Sequence, residues 1–193
     1  MWGVASEMLA SLFLIGASWS LPQGALPPMT SQPASQAIVE DGPDGLTRAA
    51  NRMTGGIISY VRWPDGQSGA RRTLCVIGAP RLTRQVAPIV PSGPPVTVRP
   101  VAAADVGGGE SCDILFLGRL SDSDRQRWIG WVRDRAVLTI TDDDPACVRG
   151  AMFCLAPRQK GLGFSVNLDA IGRGGLRVDP RVLKIGQSDE DAA

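Results

Sequence analysis

Two short apolar runs, each closed by a glycine, limit the folds open to this chain more than any other feature. RTLCVIG ends at Gly78 and CDILFLG ends at Gly118, and neither run alternates apolar with polar residues. Such runs are typical of strands that are buried on both faces, which occur mainly in parallel sheets. Further strands are predicted in AVLTITDD, GAMFCLA and LGFSVNL, and in PPVTVRPV, whose prolines favour a position near a sheet edge.

Helical patterns lie between these strands. The segment LTRAANRMTGGIISYVRWP has apolar residues at helical spacing from Leu46, and its central Gly55-Gly56 indicates a kink or a close backbone contact. In SDSDRQRWIGWVRDR, Ser121 and Asp124 form a capping box. PRLTRQVAPIV is predicted to be a short helix, and DAIGRGG and DPRVLKI are predicted to be short helical turns. The predicted fold class is α/β, with a mainly parallel sheet covered by helices on both faces.

Four cysteines place a second constraint on the fold. An even number is typical of proteins that form disulfides in an oxidising compartment, so two disulfides are the favoured interpretation. Four buried free thiols are the alternative if the chain is not exported. A thioredoxin-like C-x-x-C motif is absent, and the wide spacing of most of the cysteines disfavours a zinc site.

The positions of the cysteines indicate how bridges could form. If Gly150-Ala151 were a two-residue turn, Cys147 would lie directly opposite Cys154, although a wider loop would also allow a bridge. Cys75 and Cys112 each stand near the start of an apolar strand, and neighbouring parallel strands would place them side by side.

Composition disfavours several functions. The 193 residues contain no histidine, which removes the commonest general base and the commonest metal ligand, so an enzyme is disfavoured and no metal or cofactor is predicted. The 20 basic and 19 acidic residues leave a formal charge of +1 with no basic cluster, which disfavours nucleic-acid binding. Asp142, Asp143 and Asp144 follow a predicted strand and are interpreted as a solvated loop, not as a magnesium site.

The ends of the chain carry segments that lie outside the predicted domain. Residues 1–25 are predicted to be a signal peptide, because a short apolar stretch is followed by small residues and Leu21-Pro22. No Lys or Arg precedes that stretch, so a start at Met8 and a helix that is not exported stay open as alternatives. Residues 26–45 are predicted to be a disordered tether, 46–186 the α/β domain and 187–193 an acidic tail.

The order of these motifs resembles that of a known protein family. YVRWP, LCVIGAP, CDILFLG, VLTITDD and GAMFCL are followed by GLGFSVNLDAIGRGGLRVDPRVLKIG. This set, from Leu46 to Gly186, is similar to the YfiR family of bacterial envelope proteins. The resemblance implies a periplasmic α/β protein, commonly a homodimer, that represses a membrane-bound diguanylate cyclase of the YfiN type by contact with its periplasmic sensor region.

The resemblance also has implications for further partners and for the cysteines. An outer-membrane lipoprotein of the YfiB type would sequester the repressor and relieve the inhibition, with effects on cyclic-di-GMP and biofilm formation. The disulfides of the family map onto Cys75 with Cys112 and onto Cys147 with Cys154. Their redox state would tune the repressor.

Four residues are candidates for contact with a ligand or a partner: Trp63, Asn167, Arg173 and Arg177. Trp63 stands beside the proline that ends the first helix, whereas Asn167 could instead cap the helix that begins near Leu168. The two arginines could contact an anion or could pair locally. A second hypothesis for the function is therefore a periplasmic sensor of a small ligand or a cell-wall fragment, which binds in an aromatic pocket near Trp63 and the FSVNLDAIGR segment and changes the affinity for a partner.

Overall fold

A six-stranded sheet forms the centre of the computed structural model, which describes Ile38 and residues 40–67, 69–91, 93–159 and 161–185. The strands are β1 (Val61–Arg62), β2 (Thr73–Ile77), β3 (Thr97–Val101), β4 (Ile114–Leu117), β5 (Leu138–Thr141), β6 (Phe153–Arg158), β7 (Gly161–Val166) and β8 (Arg177–Val178). The helices are α1 (Gly45–Ser59), α2 (Asp122–Val132) and α3 (Leu168–Gly172), with 3-10 turns at Gly107–Gly109 and Pro180–Lys184. β2 to β7 form the sheet, whereas β1 and β8 pair in a separate antiparallel ribbon.

Most of the predicted terminal segments lie outside the described residues. This applies to the signal peptide at 1–25, to the acidic tail at 187–193 and to most of the tether at 26–45. Near the end of the tether, Ile38 forms a backbone bridge with Leu162 of β7, and Glu40 pairs with Arg48 and Arg52 of α1. In the described part of the chain, no helix combines the length and the apolar character needed to cross a membrane.

The strands lie in the order β3-β2-β4-β5-β6-β7. Every neighbouring pair from β3 to β6 is parallel, and only β7 runs antiparallel to its neighbour β6. The predictions of a mainly parallel sheet and of an edge position for the proline-flanked strand, β3, are therefore confirmed. Counted along the chain, the parallel strands lie in the order second, first, third, fourth and fifth, which is that of doubly wound, flavodoxin-like sheets.

Two separate groups of apolar side chains pack against the sheet. In β4, Ile114 and Phe116 belong to a buried cluster that also contains residues of α1. Leu115 and Leu117 belong to a second cluster, which contains Trp128 of α2. Because successive side chains of a strand point to opposite faces, the two clusters lie on opposite faces of β4.

Polar side chains fix the beginnings of α2 and α3. Ser121 Oγ accepts a hydrogen bond from the backbone N–H of Asp124 at 3.1 Å, so Ser121 caps α2 as predicted. The Asp124 carboxylate accepts from Ser121 Oγ at 2.6 Å, whereas a capping box would have it accept from the Ser121 backbone N–H. Asn167 Oδ1 accepts from the backbone N–H of Ala170 at 2.9 Å, which confirms that Asn167 caps the helix that follows it. Each bond from a backbone N–H satisfies one of the N–H groups that have no partner in the first turn of a helix.

The prediction of a helix in PRLTRQVAPIV is wrong, because this segment is held against α1 through Asn51. The side chain of Asn51 donates to the Gln85 carbonyl oxygen at 3.0 Å and accepts from the Ala87 N–H at 2.8 Å. The Ile89 N–H donates to the Asn51 carbonyl oxygen at 3.1 Å. These contacts satisfy backbone groups that a helix would otherwise pair internally.

Gly55 allows the backbone of residues 80–90 to approach α1 closely. A Cβ at Gly55 would lie 1.9 Å from the carbonyl oxygen of Ile89, which no side chain could tolerate without movement of the backbone. The close backbone contact predicted at Gly55-Gly56 is therefore confirmed, and it explains how a helix-disfavouring residue is accommodated in the middle of α1.

Both predicted disulfides are present, with Cα atoms 5.8 Å apart in Cys75–Cys112 and 5.4 Å apart in Cys147–Cys154, so the alternative of free thiols is wrong. Cys75 lies within β2, and Cys112 lies just before the neighbouring parallel strand β4. The two-residue turn at Gly150-Ala151 does not form, because Cys147 lies in a wider loop with a φ of 57°. Because a disulfide reduces the entropy of the unfolded chain, Cys75–Cys112, which closes the longer loop, stabilises the fold by about 4 kcal/mol, and Cys147–Cys154 stabilises it by about 2.5 kcal/mol.

Replacing Gly55 with alanine is expected to destabilise the fold, whereas the same change at Gly56 is expected to be neutral or stabilising. Alanine favours the helix by roughly 1 kcal/mol at either position. At Gly56, however, a Cβ would meet only side-chain atoms of Ile185, the nearest at 3.3 Å. Urea unfolding of the two oxidised variants should therefore differ by about 2 to 3 kcal/mol. Equal free energies of unfolding would contradict the close contact between α1 and Ile89.

Candidate functional site

The first place to look for a ligand in this fold is the carboxyl edge of the sheet. In doubly wound sheets ligands bind where the strand order reverses, which here is between β2 and β4. The chain itself fills this crevice, because Ala79 and Arg119 form a backbone bridge with N···O distances of 3.3 and 2.8 Å. Gly118 permits the approach, since a Cβ there would lie 2.4 Å from the carbonyl carbon of Ala79.

A buried carboxylate lies beside this bridge, where other proteins of this topology bind an anion. Asp142 follows β5 and is only 4% exposed. Its Oδ2 accepts hydrogen bonds from the backbone N–H groups of Arg81 and Leu82, at 2.6 and 2.9 Å. Burial raises the pKa of Asp142, while these two hydrogen bonds and others from the backbone act in the opposite direction. The protein thus supplies its own anion to these N–H groups.

The interpretation of Asp142, Asp143 and Asp144 as a solvated loop is wrong. Asp144 is buried like Asp142, and its Oδ2 accepts from the backbone N–H of Arg149 at 2.7 Å. Asp143 is partly buried and pairs with Arg81 at 3.1 Å. Asp142 and Asp143 both bind Arg81, through its backbone N–H and its side chain, whereas Asp144 binds the backbone of Arg149. The three carboxylates therefore fix the loops that follow β2 and β5. The three consecutive acids after β5 therefore stabilise the loops at this edge of the sheet.

Arg125 of α2 is a buried cation near this edge, and the sequence analysis missed it. Its guanidinium donates to Asp143 at 2.9 Å, to the Gly118 carbonyl oxygen at 3.2 Å and to Thr141 Oγ1 at 3.3 Å. A signal was present, because Arg125 stands three residues before Trp128, on the face of α2 that is buried. An arginine at such a position indicates a buried ion pair.

The Cys147–Cys154 segment is tied to α3 through Asn167. While Asn167 Oδ1 caps α3, its Nδ2 donates to the carbonyl oxygen of Cys147 at 3.2 Å. Val148 and Leu168, the residues that follow Cys147 and Asn167, are each 76% exposed. One side chain therefore sets the spacing between two prominent apolar residues. We call Val148 and Leu168 the apolar pair.

A cleft of about 520 Å³ lies between α2, the Cys147–Cys154 segment and α3, and we call it the α2–α3 cleft. Its lining includes Arg125, Ile129, Arg133, Arg149, Asn167 and Arg173. Two of the sequence-predicted contact residues, Asn167 and Arg173, therefore lie in one site. Arg173 also pairs locally with Asp169, at 2.5 Å.

A second cavity, of about 480 Å³, contains Trp63. The Arg72 guanidinium lies over the Trp63 ring, 4.5 Å from its centroid, and is held there by ion pairs with Asp65 at 2.7 Å and Asp113 at 3.4 Å. The Trp63 Nε1 is buried and has no hydrogen-bond partner among the described residues. Apolar side chains such as Val90 and the prolines at 91 and 94 form other walls of this cavity, which we call the Trp63 cavity.

Arg177, the last of the four candidates, does not line either cavity. It lies in β8 opposite Arg62 of β1, and Arg62 is part of the Trp63 cavity. The predicted contact residues are thus divided between two places. Among the described residues, no group of three or more His, Cys, Asp or Glu side chains is placed to hold a metal ion.

These features together define a class: an α/β protein with a mainly parallel sheet that is cross-linked by two disulfides, and in which the crevice where the strand order reverses is filled by the protein's own backbone and carboxylate. The family model described as YfiR/HmsC-like matches residues 48–187. The chain belongs to the YfiR/HmsC-like family, and the resemblance found in the sequence is confirmed. This family is regulatory and non-catalytic and is connected with diguanylate cyclase signalling.

Changing Asp142 to alanine is expected to destabilise the protein by about 2 to 4 kcal/mol, because the two N–H groups of Arg81 and Leu82 lose their acceptor. Asp142→Asn keeps an acceptor oxygen and should cost less. Because burial raises the pKa of Asp142 above 3.8, its contribution to stability is largest at low pH and is lost as the pH rises through the folded-state pKa. Asparagine does not ionise, so the stability of the wild type relative to Asp142→Asn should fall as the pH rises.

Urea unfolding of the wild type and both variants over a series of pH values measures these effects. A difference between the wild type and Asp142→Asn that does not change with pH would contradict the raised pKa. Equal costs for alanine and asparagine would contradict the role of the carboxylate as an acceptor.

Proposed function

We propose that the protein is a periplasmic regulator that represses a membrane-bound diguanylate cyclase of the YfiN type by direct contact, and so controls cyclic-di-GMP and biofilm formation. The observation that carries this proposal is the match of residues 48–187 to the YfiR/HmsC-like family. The two disulfides support a location in an oxidising compartment, where such bridges form and persist. The signal peptide predicted at residues 1–25 would provide the export.

Because the crevice at the carboxyl edge of the sheet is filled, a role in regulation by contact with a partner is favoured over a role in catalysis. Enzymes of doubly wound topology place substrates or cofactors beyond the carboxyl ends of the strands, where charged and polar groups converge. Here Asp142 and the bridge between Ala79 and Arg119 occupy that place. With this place occupied by the chain itself, the outer surfaces of the protein are available to a partner.

The apolar pair is the surface that we assign to the partner. Val148 and Leu168 are the two most exposed large apolar side chains among the described residues, and such side chains are suited to contact with a protein partner. The hydrogen bond from Asn167, which precedes Leu168, to Cys147, which precedes Val148, joins the two stretches of chain that carry them. A sensor region of the cyclase would cover them, and a YfiB-type outer-membrane lipoprotein would compete for the repressor. A homodimer would present two such pairs.

Deletion of the gene is expected to raise cellular cyclic-di-GMP, and the wild-type gene should restore the lower level. Variants in which Val148 or Leu168 is changed to aspartate should restore it poorly, because a charge placed in a buried contact costs roughly 2 to 4 kcal/mol of binding free energy. Quantification of cyclic-di-GMP by mass spectrometry measures the effect.

Ile89→Asp is the matched control, since Ile89 is also exposed, at 54%, but lies on the segment held against α1. This variant should restore repression, and unfolding curves of the purified proteins should show that all variants fold. Full repression by the Val148→Asp/Leu168→Asp double variant would contradict the assigned surface. An unchanged cyclic-di-GMP level in the deletion strain under several envelope stresses would contradict regulation of a cyclase.

A second candidate function, a sensor of a small ligand or cell-wall fragment, is favoured by the Trp63 cavity. Its volume of about 480 Å³ falls in the range of ligand sites, and its apolar walls surround an aromatic ring and a cation. A ligand there should change the fluorescence of the wild type but not that of Trp63→Phe. Titration with cell-wall fragments and amino acids measures this, and an equal change in both proteins would assign the signal to another tryptophan.

A further inference from the structure

The α2–α3 cleft carries more positive charge than its own acids balance. Arg149 pairs with Asp122 at its rim, and Arg173 pairs with Asp169. The side chain of Arg133, at the end of α2, has no ion-pair or hydrogen-bond partner among the described residues. The lining therefore holds four arginines and two aspartates, and among the described residues Arg133 is the arginine of the cleft that no carboxylate compensates.

Arg125 adds a buried cation to the same cleft. It is only 3% exposed, and its Nε is buried without a hydrogen-bond partner among the described residues. Burial lowers the pKa of Arg125, and the positive charge of Arg149 lowers it further, although Asp143 and Asp144 act in the opposite direction. An arginine this deep is stabilised by any additional negative charge nearby, because the low local dielectric strengthens the attraction.

Apolar side chains form another part of the lining, beside polar residues such as Gln126 and Thr139. Ile129 and Val132 of α2 contribute aliphatic side chains, Met152 contributes a flexible one from the segment before β6, and Ala170 contributes a small one from α3. A volume of about 520 Å³ is that of a site for a small molecule. The cleft shares no lining residue with the Trp63 cavity.

We propose that the α2–α3 cleft is a binding site for a small organic anion. Arg133 and the buried Arg125 attract the acidic group of the anion, and the apolar body of the anion packs against Ile129 and Met152. An inorganic anion would leave the apolar side chains without contact, and an uncharged apolar molecule would leave the charge of Arg133 without a partner. The chemistry of the lining therefore selects a molecule that has both parts.

Binding in the cleft would also influence the apolar pair. Asn167 lines the cleft and holds both Cys147 and the start of α3, so a molecule that contacts it stabilises the spacing of Val148 and Leu168. This consequence rests on the proposed function, whereas the binding itself does not. A binding measurement in vitro therefore tests the ligand site alone, and the cellular assay of repression tests the proposed function alone.

Two fluorescent probes that differ by one charged group test the proposal. Anilinonaphthalene sulfonate is an organic anion, and phenylnaphthylamine is the same aromatic body without the sulfonate. The oxidised wild-type protein should bind the sulfonate more tightly than the uncharged probe. Arg133→Gln should weaken binding of the sulfonate by about tenfold while changing that of the uncharged probe by less than about twofold. Arg133→Lys should retain most of the affinity for the sulfonate.

Arg127→Gln is the matched control, because it removes the same charge from an exposed position of the same helix where Arg127 pairs with Asp124. It should leave both affinities unchanged. Equal binding of the sulfonate by the wild type and Arg133→Gln would overturn the proposal. So would equal weakening by Arg127→Gln, which would indicate attraction by net charge alone. Displacement of the sulfonate by inorganic phosphate at equal concentration would overturn the requirement for an apolar body.

Discussion

The buried carboxylate of Asp142 is the interaction on which the rest of the structure depends. It joins the end of β5 to the segment after β2, and so reaches across the intervening strand β4. Asp142 fixes the backbone of Arg81 and Leu82, and the residues that follow them run beside α1. There Asn51 forms hydrogen bonds with their backbone groups, and Gly55 allows their backbone to approach the helix closely. A single ionisable group therefore connects the carboxyl edge of the sheet with the packing of the first helix. It also occupies the place in which a doubly wound enzyme would hold a substrate.

With the usual crevice filled, the surfaces left for interaction lie along the helices. The α2–α3 cleft and the Trp63 cavity share no lining residues, and the apolar pair lies where the shorter disulfide loop meets α3. Asn167 lines the cleft and donates to the carbonyl oxygen of Cys147, the residue before Val148, while its Oδ1 caps the helix that begins at Leu168. Such an arrangement suits a regulatory protein, because an event in one place changes the geometry of another without any chemical reaction.

Local sequence patterns predicted the parts of the fold that depend on neighbouring residues. The apolar runs identified the strands, Ser121 and Asp124 identified the start of α2, and the glycine pair identified the close contact at α1. The failures concern long-range partners. The segment from Pro80 lacks a helix because Asn51 and Asp142 bind its backbone, and the acids after β5 are buried because distant N–H groups and Arg125 face them. Asn167 and Arg173 were found as candidates, but the cleft that contains them arises only when α2 is brought against α3.

The bridge between Ile38 and Leu162 has a consequence for how the protein avoids self-association. Unpaired strand edges can template aggregation, and this sheet has two, at β3 and at β7. Pro100 deprives β3 of a donor, and the Arg99 side chain folds back onto the Gly108 carbonyl oxygen and Ser111. At β7, the chain before α1 covers Leu162, and Glu40 fastens that chain to the helix. A recombinant protein begun at Leu46 would leave the β7 edge open to intermolecular strand pairing. The residues before α1 therefore protect the protein against aggregation through this edge.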